Sequence, residues 1–395
     1  MKQAEKFTLE IIKETINGIP ADLPEDIEWD KIYFELEQQA IVSLVYPWTK
    51  QHDVSNTDVL KKWYSTTFSQ ITAWYVLMEN QNNLVKLLTN GGYSFAIMKG
   101  TANGLLYPKP ELRTVGDIDF LVKTEDYEKI YELLVDNGYK LAAAKDDLKH
   151  HLELTQNGII FEMHKRPAGT KRRYSEKNQR LIQYFQDGLN KTETAEIEGY
   201  SFPVLSPEHT GIMLLLHTAR HLRSGIGIRH LVDWMMYVKT YVTDEFWRNR
   251  LEPLAFDADV EILAKVITRC CQLYLGLSDS ITWCKDIDRE ICEDTIDYFM
   301  HQGNLGQKVA GKEANIKYFT EVTSVRNFFR RLDRSSKYSF PLGQKCILLR
   351  PLGWSYQLFR YFCKSVFYRN DIRKNMLDSR GDSELLRYLK IDFKD

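Results

Sequence analysis

Two aspartates stand two positions apart in the run Asp117-Ile118-Asp119-Phe120-Leu121-Val122. The run predicts a β-strand, on which side chains alternate, so both carboxylates share one face and Ile118 and Phe120 the other. Two carboxylates that close repel unless a cation lies between them. Mg2+ is the expected guest, with Mn2+ the alternative, because it takes oxygen ligands and is held by one or two carboxylates plus substrate phosphates. A third carboxylate, Glu162, lies between Phe161 and Met163 in Ile159-Ile160-Phe161-Glu162-Met163-His164. Three inward carboxylates on adjacent strands can hold two metals, one activating a hydroxyl and one stabilising a leaving pyrophosphate oxygen. Asp117, Asp119 and Glu162 are therefore the expected metal-binding and catalytic residues. Glu153 is the rival of Glu162, since a one-residue slip in pairing would exchange the two faces.

The chemistry needs a phosphate side as well. Lys99-Gly100-Thr101 falls where a strand turns into a short helix, a place where backbone N–H groups favour an anion. Gly100 would let the backbone approach a phosphate, Thr101 would offer a hydroxyl, and Lys99 and Arg113 would add positive charge, Arg113 as a planar fork. The bland alternatives are surface ion pairing for the two cations and helix capping for Thr101. His164 shares a strand face with Glu162, where it would orient that carboxylate, touch substrate or simply pack.

These segments resemble a known signature. Met98-Lys99-Gly100-Thr101, Tyr107-Pro108 and Arg113 to Val122 look like the uncharacterised nucleotidyltransferase family of the DNA polymerase β-like superfamily. Phe161-Glu162-Met163-His164 is similar to that family's later acidic strand. Leu205-Ser206-Pro207-Glu208, His217, His221, Arg229 and Asp233 are similar to its helical continuation. The resemblance spans roughly residues 84–238. It implies an α/β (α+β) chain with a small mixed sheet flanked by helices. It also implies transfer of a nucleoside monophosphate from a nucleoside triphosphate, an NTP, to an acceptor that it does not name. Thr101 stands where the superfamily usually has a second glycine or serine, and the gap from there to Asp117 is long.

The surrounding sequence supplies elements that would position these groups. Phe7, Ile11, Ile12 and Ile16 recur at helical spacing up to Gly18-Ile19-Pro20. Further helices are expected over 30–45 and 63–88, the latter stopped at Gly91-Gly92. A strand is expected at 94–99, a short helix at 101–106, the aspartate strand, and a helix capped by Thr124. A third strand is expected at 139–142. Gln156-Asn157-Gly158 predicts a tight hairpin between 151–154 and 159–164. A strand pair is expected within 193–204. Helices follow over 209–221, 229–242, 260–275 and 288–302, with Ser206 as N-cap and Pro207 at the first position. The expected organisation is a helical region 1–90, a catalytic core 91–204 and a helical region 205–395, with nucleotide in the cleft between core and helices.

Composition sets outer limits. The 395 residues carry 53 Lys plus Arg against 54 Asp plus Glu, a balance that speaks against a dedicated nucleic-acid binder. No apolar run reaches the ~18 residues of a spanning helix and no secretory leader is visible, so a cytoplasmic location is expected. The six cysteines lack paired spacing and are expected as buried free thiols. His217 and His221, four apart on a helix, have a spacing that suits zinc, but no third ligand is evident. Hydrogen bonding within the helices, or lining the nucleotide cleft with Arg220 and Arg229, is expected instead, and Asp233 is expected to pair with one of those arginines. The basic, aromatic stretch 325–374 is expected to form packed amphipathic helices. If it instead bound RNA, the chain would be a toxin-like RNA-modifying nucleotidyltransferase. A third reading keeps the fold but not the chemistry: a non-catalytic nucleotide-binding or scaffold protein.

Overall fold

The computed structural model describes residues 1–23, 26–142, 151–167, 176–304, 308, 350–356 and 384–389. Lys171-Arg172-Arg173, Cys346, Cys363 and nearly all of the basic aromatic stretch 325–374 lie outside the described residues. Two compact units are present, 1–305 with 389–395, and 306–388. In the second, the described residues are helical at 350–356 and 384–388. Everything that follows concerns the first unit.

Three helices precede the sheet: α1 (Gln3–Asn17), α2 (Trp29–Gln38) and α3 (Thr57–Asn90). Asn56 caps α3 by accepting from the Val59 amide at 3.1 Å. The helix expected to reach residue 45 stops at Gln38, because Ala40 turns into a positive φ of 55°. Strand β1 (Phe95–Met98) then leads through two short 3-10 turns, Ala102–Leu106 and Pro110–Leu112, into β2 (Asp117–Val122). Helix α4 (Tyr127–Asp136) follows a 3-10 turn at Thr124–Asp126 and has no side-chain cap, contrary to the role expected of Thr124. Next come β3 (Lys140–Leu141), β4 (His151–Gln156), β5 (Ile159–His164), α5 (Glu176–Gly188), β6 (Glu193–Ile197) and β7 (Tyr200–Val204). The remaining helices are α6 (Pro207–Ser224), α7 (Ile228–Tyr241), α8 (Asp244–Phe246), α9 (Glu252–Asp257), α10 (Glu261–Leu275) and α11 (Arg289–Gln302). Ser206 precedes Pro207 as expected, but its hydroxyl goes to Glu208 and His209 rather than to a backbone amide.

The strands form one seven-stranded mixed sheet in the order β3-β4-β5-β2-β1-β7-β6. Pairing is parallel for β2 with β5 and β1 with β7, and antiparallel elsewhere. Period-two alternation gives the sheet two unlike faces. One carries Phe95, Ile97, Ile118, Phe120, Val122, Leu152, Leu154, Phe161 and Met163, packed with Trp74, Leu77, Met78 and Leu84 of α3 and Ile130 and Leu134 of α4. Full burial of one such side chain stabilises by about 1.5–3 kcal/mol, so this layer fixes the register. The opposite face carries Asp117, Asp119, Glu162 and His164.

Helix α7 is pinned at its start. Gln39, fully buried, accepts from the Ile228 amide at 2.8 Å and donates to the Met300 carbonyl at 3.2 Å. Gly227 makes the close approach: a Cβ there would meet the Asn304 backbone at 2.7 and 2.8 Å and Gln39 Oε1 at 2.9 Å. Gly227→Ala is therefore expected to destabilise the fold by about 1–3 kcal/mol, the usual range for overpacking. Denaturant midpoints measure this, and an unchanged midpoint would contradict the packing described.

Candidate functional site

The site begins with register. In the parallel pair β2–β5, Asp119 lies opposite Glu162 and Leu121 opposite His164. In the hairpin β4–β5, Glu153 lies opposite Glu162 and His151 opposite His164. Asn157 and Gly158, both at positive φ, close that hairpin in two residues, which leaves one register available. Carboxylate oxygens of Asp117, Asp119 and Glu162 come within 4.8 Å of one another. Glu153 is one strand further out and contacts His151 Nε2 at 3.2 Å.

Basic groups close around the acids. Lys99, the residue after β1, has φ 47° and places Nζ 2.6 Å from Asp119 Oδ1 and 3.9 Å from Glu162 Oε2. His164, fully buried, places Nε2 2.9 Å from Asp119 Oδ1 and 3.1 Å from Glu162 Oε2. The Nε2 proton is thus donated between two carboxylates. His151 adds a further contact, 3.6 Å from Glu162 Oε1. Among the described residues none hydrogen-bonds to the Asp117 carboxylate or to Asp119 Oδ2.

Two aspartates two residues apart are pushed in opposite directions. Burial, then the charges of Asp119 and Glu162, raise the Asp117 carboxyl to about 6. Burial also works to raise Asp119, but the Lys99 ammonium and the His164 ring outweigh it and hold that carboxyl far below the usual range. The unrelieved repulsion therefore falls on Asp117, whose charged form a nearby cation would favour most. Free carboxylate oxygens, mutual closeness and that unrelieved repulsion suit a hard divalent cation bound by oxygen. Asp117, Asp119 and Glu162 are the residues that could hold it.

The remaining expected residues are placed differently. Arg113, expected on the phosphate side, is buried and grips Asp233: Nε to Oδ1 and NH2 to Oδ2 are both 2.7 Å. Its third contact, NH1 to the Gly100 carbonyl at 2.7 Å, ties the end of β1 to the entry of β2. Tyr107 donates to Asp233 Oδ1 at 2.6 Å. Burial would raise the Asp233 carboxyl, but the Arg113 guanidinium holds it below the ordinary value. Asp233 thus pairs with Arg113 rather than with Arg220 or Arg229. Thr101 is buried, with its hydroxyl on Gln81 Oε1. A Cβ on Gly100 would lie 3.1 Å from the Asp117 carbonyl oxygen, so this glycine lets the turn pack against the aspartate strand.

Arg229 forms no ion pair with a carboxylate among the described residues. Its NH1 donates to the Thr114 carbonyl at 3.0 Å, while its buried Nε has no hydrogen-bond partner among the described residues. Its charge, with that of Lys99, acts on Asp117. The sequence signal for the Arg113–Asp233 link was weak, because the two lie 120 positions apart. His151 was readable from its alternation with Glu153 ahead of the Asn-Gly turn. The four described cysteines, Cys270, Cys271, Cys284 and Cys292, are free and buried, as expected of packed thiols. No helix among the described residues is long and apolar enough to cross a membrane.

The mixed sheet thus gathers three carboxylates on one face, opposite a helix-packed apolar face. The profile of the uncharacterised nucleotidyltransferase family matches residues 25–276, and the chain belongs to that family. A comparison with curated proteins found no match. Among solved structures, an antigenic nucleotidyltransferase-like protein from Paracoccidioides brasiliensis is similar at 18% identity and a TM-score of 0.33, over 51% of this chain and 93% of that one.

Proposed function

We propose that this protein moves a nucleoside monophosphate from an NTP to a hydroxyl-bearing acceptor. In that reaction the acceptor oxygen bonds to the α-phosphorus, the bond from that phosphorus to the bridging oxygen breaks, and pyrophosphate leaves with the hydroxyl proton released. The observation that carries the reading is the Asp119–Glu162 register, which gathers three carboxylates within 4.8 Å. Mg2+ bound there would polarise the phosphate and stabilise charge on the departing oxygen. Asp117, Asp119 and Glu162 would hold it. His164 and Lys99 fix Asp119 in place. Arg229, with an unused donor, takes over the phosphate role first expected of Arg113. The test is incubation with α-labelled NTPs, Mg2+ and pools of small molecules, proteins and RNA, reading label on an acceptor together with pyrophosphate. No label on any pool, with all four NTPs, would defeat the proposal.

One consequence concerns His164. It orients two expected metal ligands through one proton, and loss of such an orienting group costs about 10–100-fold in metal affinity. His164→Gln is expected to weaken Mn2+ binding by that factor in a calorimetric titration. Equal affinities would show that the ring merely fills space.

A further inference from the structure

Helix α6 and helix α7 bring together a second group of metal-ligating side chains, none of them shared with the carboxylate trio. His217 and His221 lie one turn apart on α6, so their rings share a face. The chain reverses through Gly225-Ile226-Gly227, and His230 falls in the first turn of α7. One ring nitrogen from each of the three lies within 4.8 Å of the others. His217 Nε2 and His221 Nε2 are 3.0 Å apart, and His230 packs with ring centroids 5.3 Å from His217 and 4.9 Å from His221. The third ligand that the sequence failed to reveal is supplied by the following helix.

Hydrogen bonding does not account for this group. A single proton shared between His217 and His221 satisfies only that contact. His230 is 3% exposed, and neither of its ring nitrogens has a hydrogen-bond partner among the described residues; His221 Nδ1 has none either. A buried polar group left unmade costs about 1–3 kcal/mol, so an orphaned imidazole inside a packed helix pair points to a missing ligand. The side chains His217 and His221 are half-buried, which leaves an ion a way in.

We propose that His217, His221 and His230 form a tri-histidine site for a zinc-class divalent transition ion, with a fourth position left for water or a substrate oxygen. Zinc takes nitrogen ligands at about 2.0–2.1 Å in a tetrahedral array, which sets neighbouring ligand atoms roughly 3.3 Å apart; the observed 3.0 Å needs only a small adjustment. Ligation requires the neutral imidazole. Burial first, and then nearby positive charge, lowers all three rings, His221 to about 4. The charges concerned, Lys99, Arg220 and Arg229, would oppose a cation held by electrostatics alone. They favour one held by directed metal–nitrogen bonds, so the site discriminates against Mg2+. Lys99 is itself paired with Asp119, and Arg229 feels Asp117 and Asp233.

The test uses the full-length chain, stripped with a chelator and titrated with Co2+ and, separately, Zn2+ in the absence of nucleotide. With excess Mg2+ present to occupy the carboxylates, one equivalent should bind, with the visible ligand-field bands of tetrahedral nitrogen-coordinated cobalt. Binding should fall by at least tenfold in His217→Ala and in His221→Asn, two half-buried positions whose folding is checked by circular dichroism. Asp119→Asn and Glu162→Gln should retain it. Absence of stoichiometric uptake means that water occupies the site and overturns the proposal. So does uptake that survives the histidine changes and disappears in Glu162→Gln, which would place the ion with the carboxylates and His151. Because no nucleotide is present, the result is independent of whether the transfer reaction is found.

Discussion

Asp119→Asn is expected to reduce nucleotidyl transfer by about 100- to 1,000-fold, the size of effect seen when one preorganised electrostatic contact is removed from a buried site. Asp119 touches everything that organises the centre: the Lys99 ammonium at 2.6 Å and the His164 ring at 2.9 Å, while Oδ2 stays free for a cation. Asparagine keeps the shape and removes the charge. It also leaves Lys99, 9% exposed, without its nearest counter-ion and with only Glu162 at 3.9 Å, so some stability should be lost as well. The two effects separate in the kinetics. Single-turnover rates on folded enzyme should fall, and Lys99→Met added to Asp119→Asn should recover stability without recovering rate. Transfer within tenfold of the parent would remove Asp119 from the chemistry.

The second large effect is structural. Asp233→Asn should cost about 3–5 kcal/mol, because it strips the partner from a buried Arg113 that cannot shed its charge. Two parallel contacts of 2.7 Å and the Tyr107 hydroxyl at 2.6 Å converge on that one carboxylate. The pH dependence follows from the direction of its shift. A carboxyl held low in the folded state contributes stability that is complete above its ordinary value of about 4, and that is lost as pH falls through the depressed folded value. The gap in unfolding free energy between parent and variant should therefore be constant from pH 7 down to about 4 and then narrow. A gap that does not narrow in acid would mean that the pair is not ionic as described.

Much of this arrangement could be read from residue order, for identifiable reasons. Alternation around Asp117 and Asp119 reports a strand with one apolar and one acidic face, and the Asn157-Gly158 turn sets how Glu153 and Glu162 pair. What alternation cannot report is which strands become neighbours. That β2 lies between β1 and β5, in parallel with β5, depends on the α3–α4 layer packing against the whole sheet. Arg113 shows a different limit. Its residue type suits a phosphate or a carboxylate equally well, and only the approach of α7 decides for Asp233. His230 shows a third. The i, i+4 pattern exposes ligands on one helix, but a partner contributed by the next helix carries no spacing signal. The helix expected to reach residue 45 ended early because a local backbone turn at Ala40 overrode a helical pattern of apolar residues.

The order β3-β4-β5-β2-β1-β7-β6 sets β5, β2 and β1 in the interior of the sheet, each flanked on both sides. Their amide protons open only when a neighbouring ladder opens, so the strands that carry the acids belong to the slowest-exchanging part of the molecule. An incoming ion would then meet ligands already stilled. Little chain freedom would be surrendered on arrival, and the adjustments needed for substrate would fall to the loops and helices around a stationary floor.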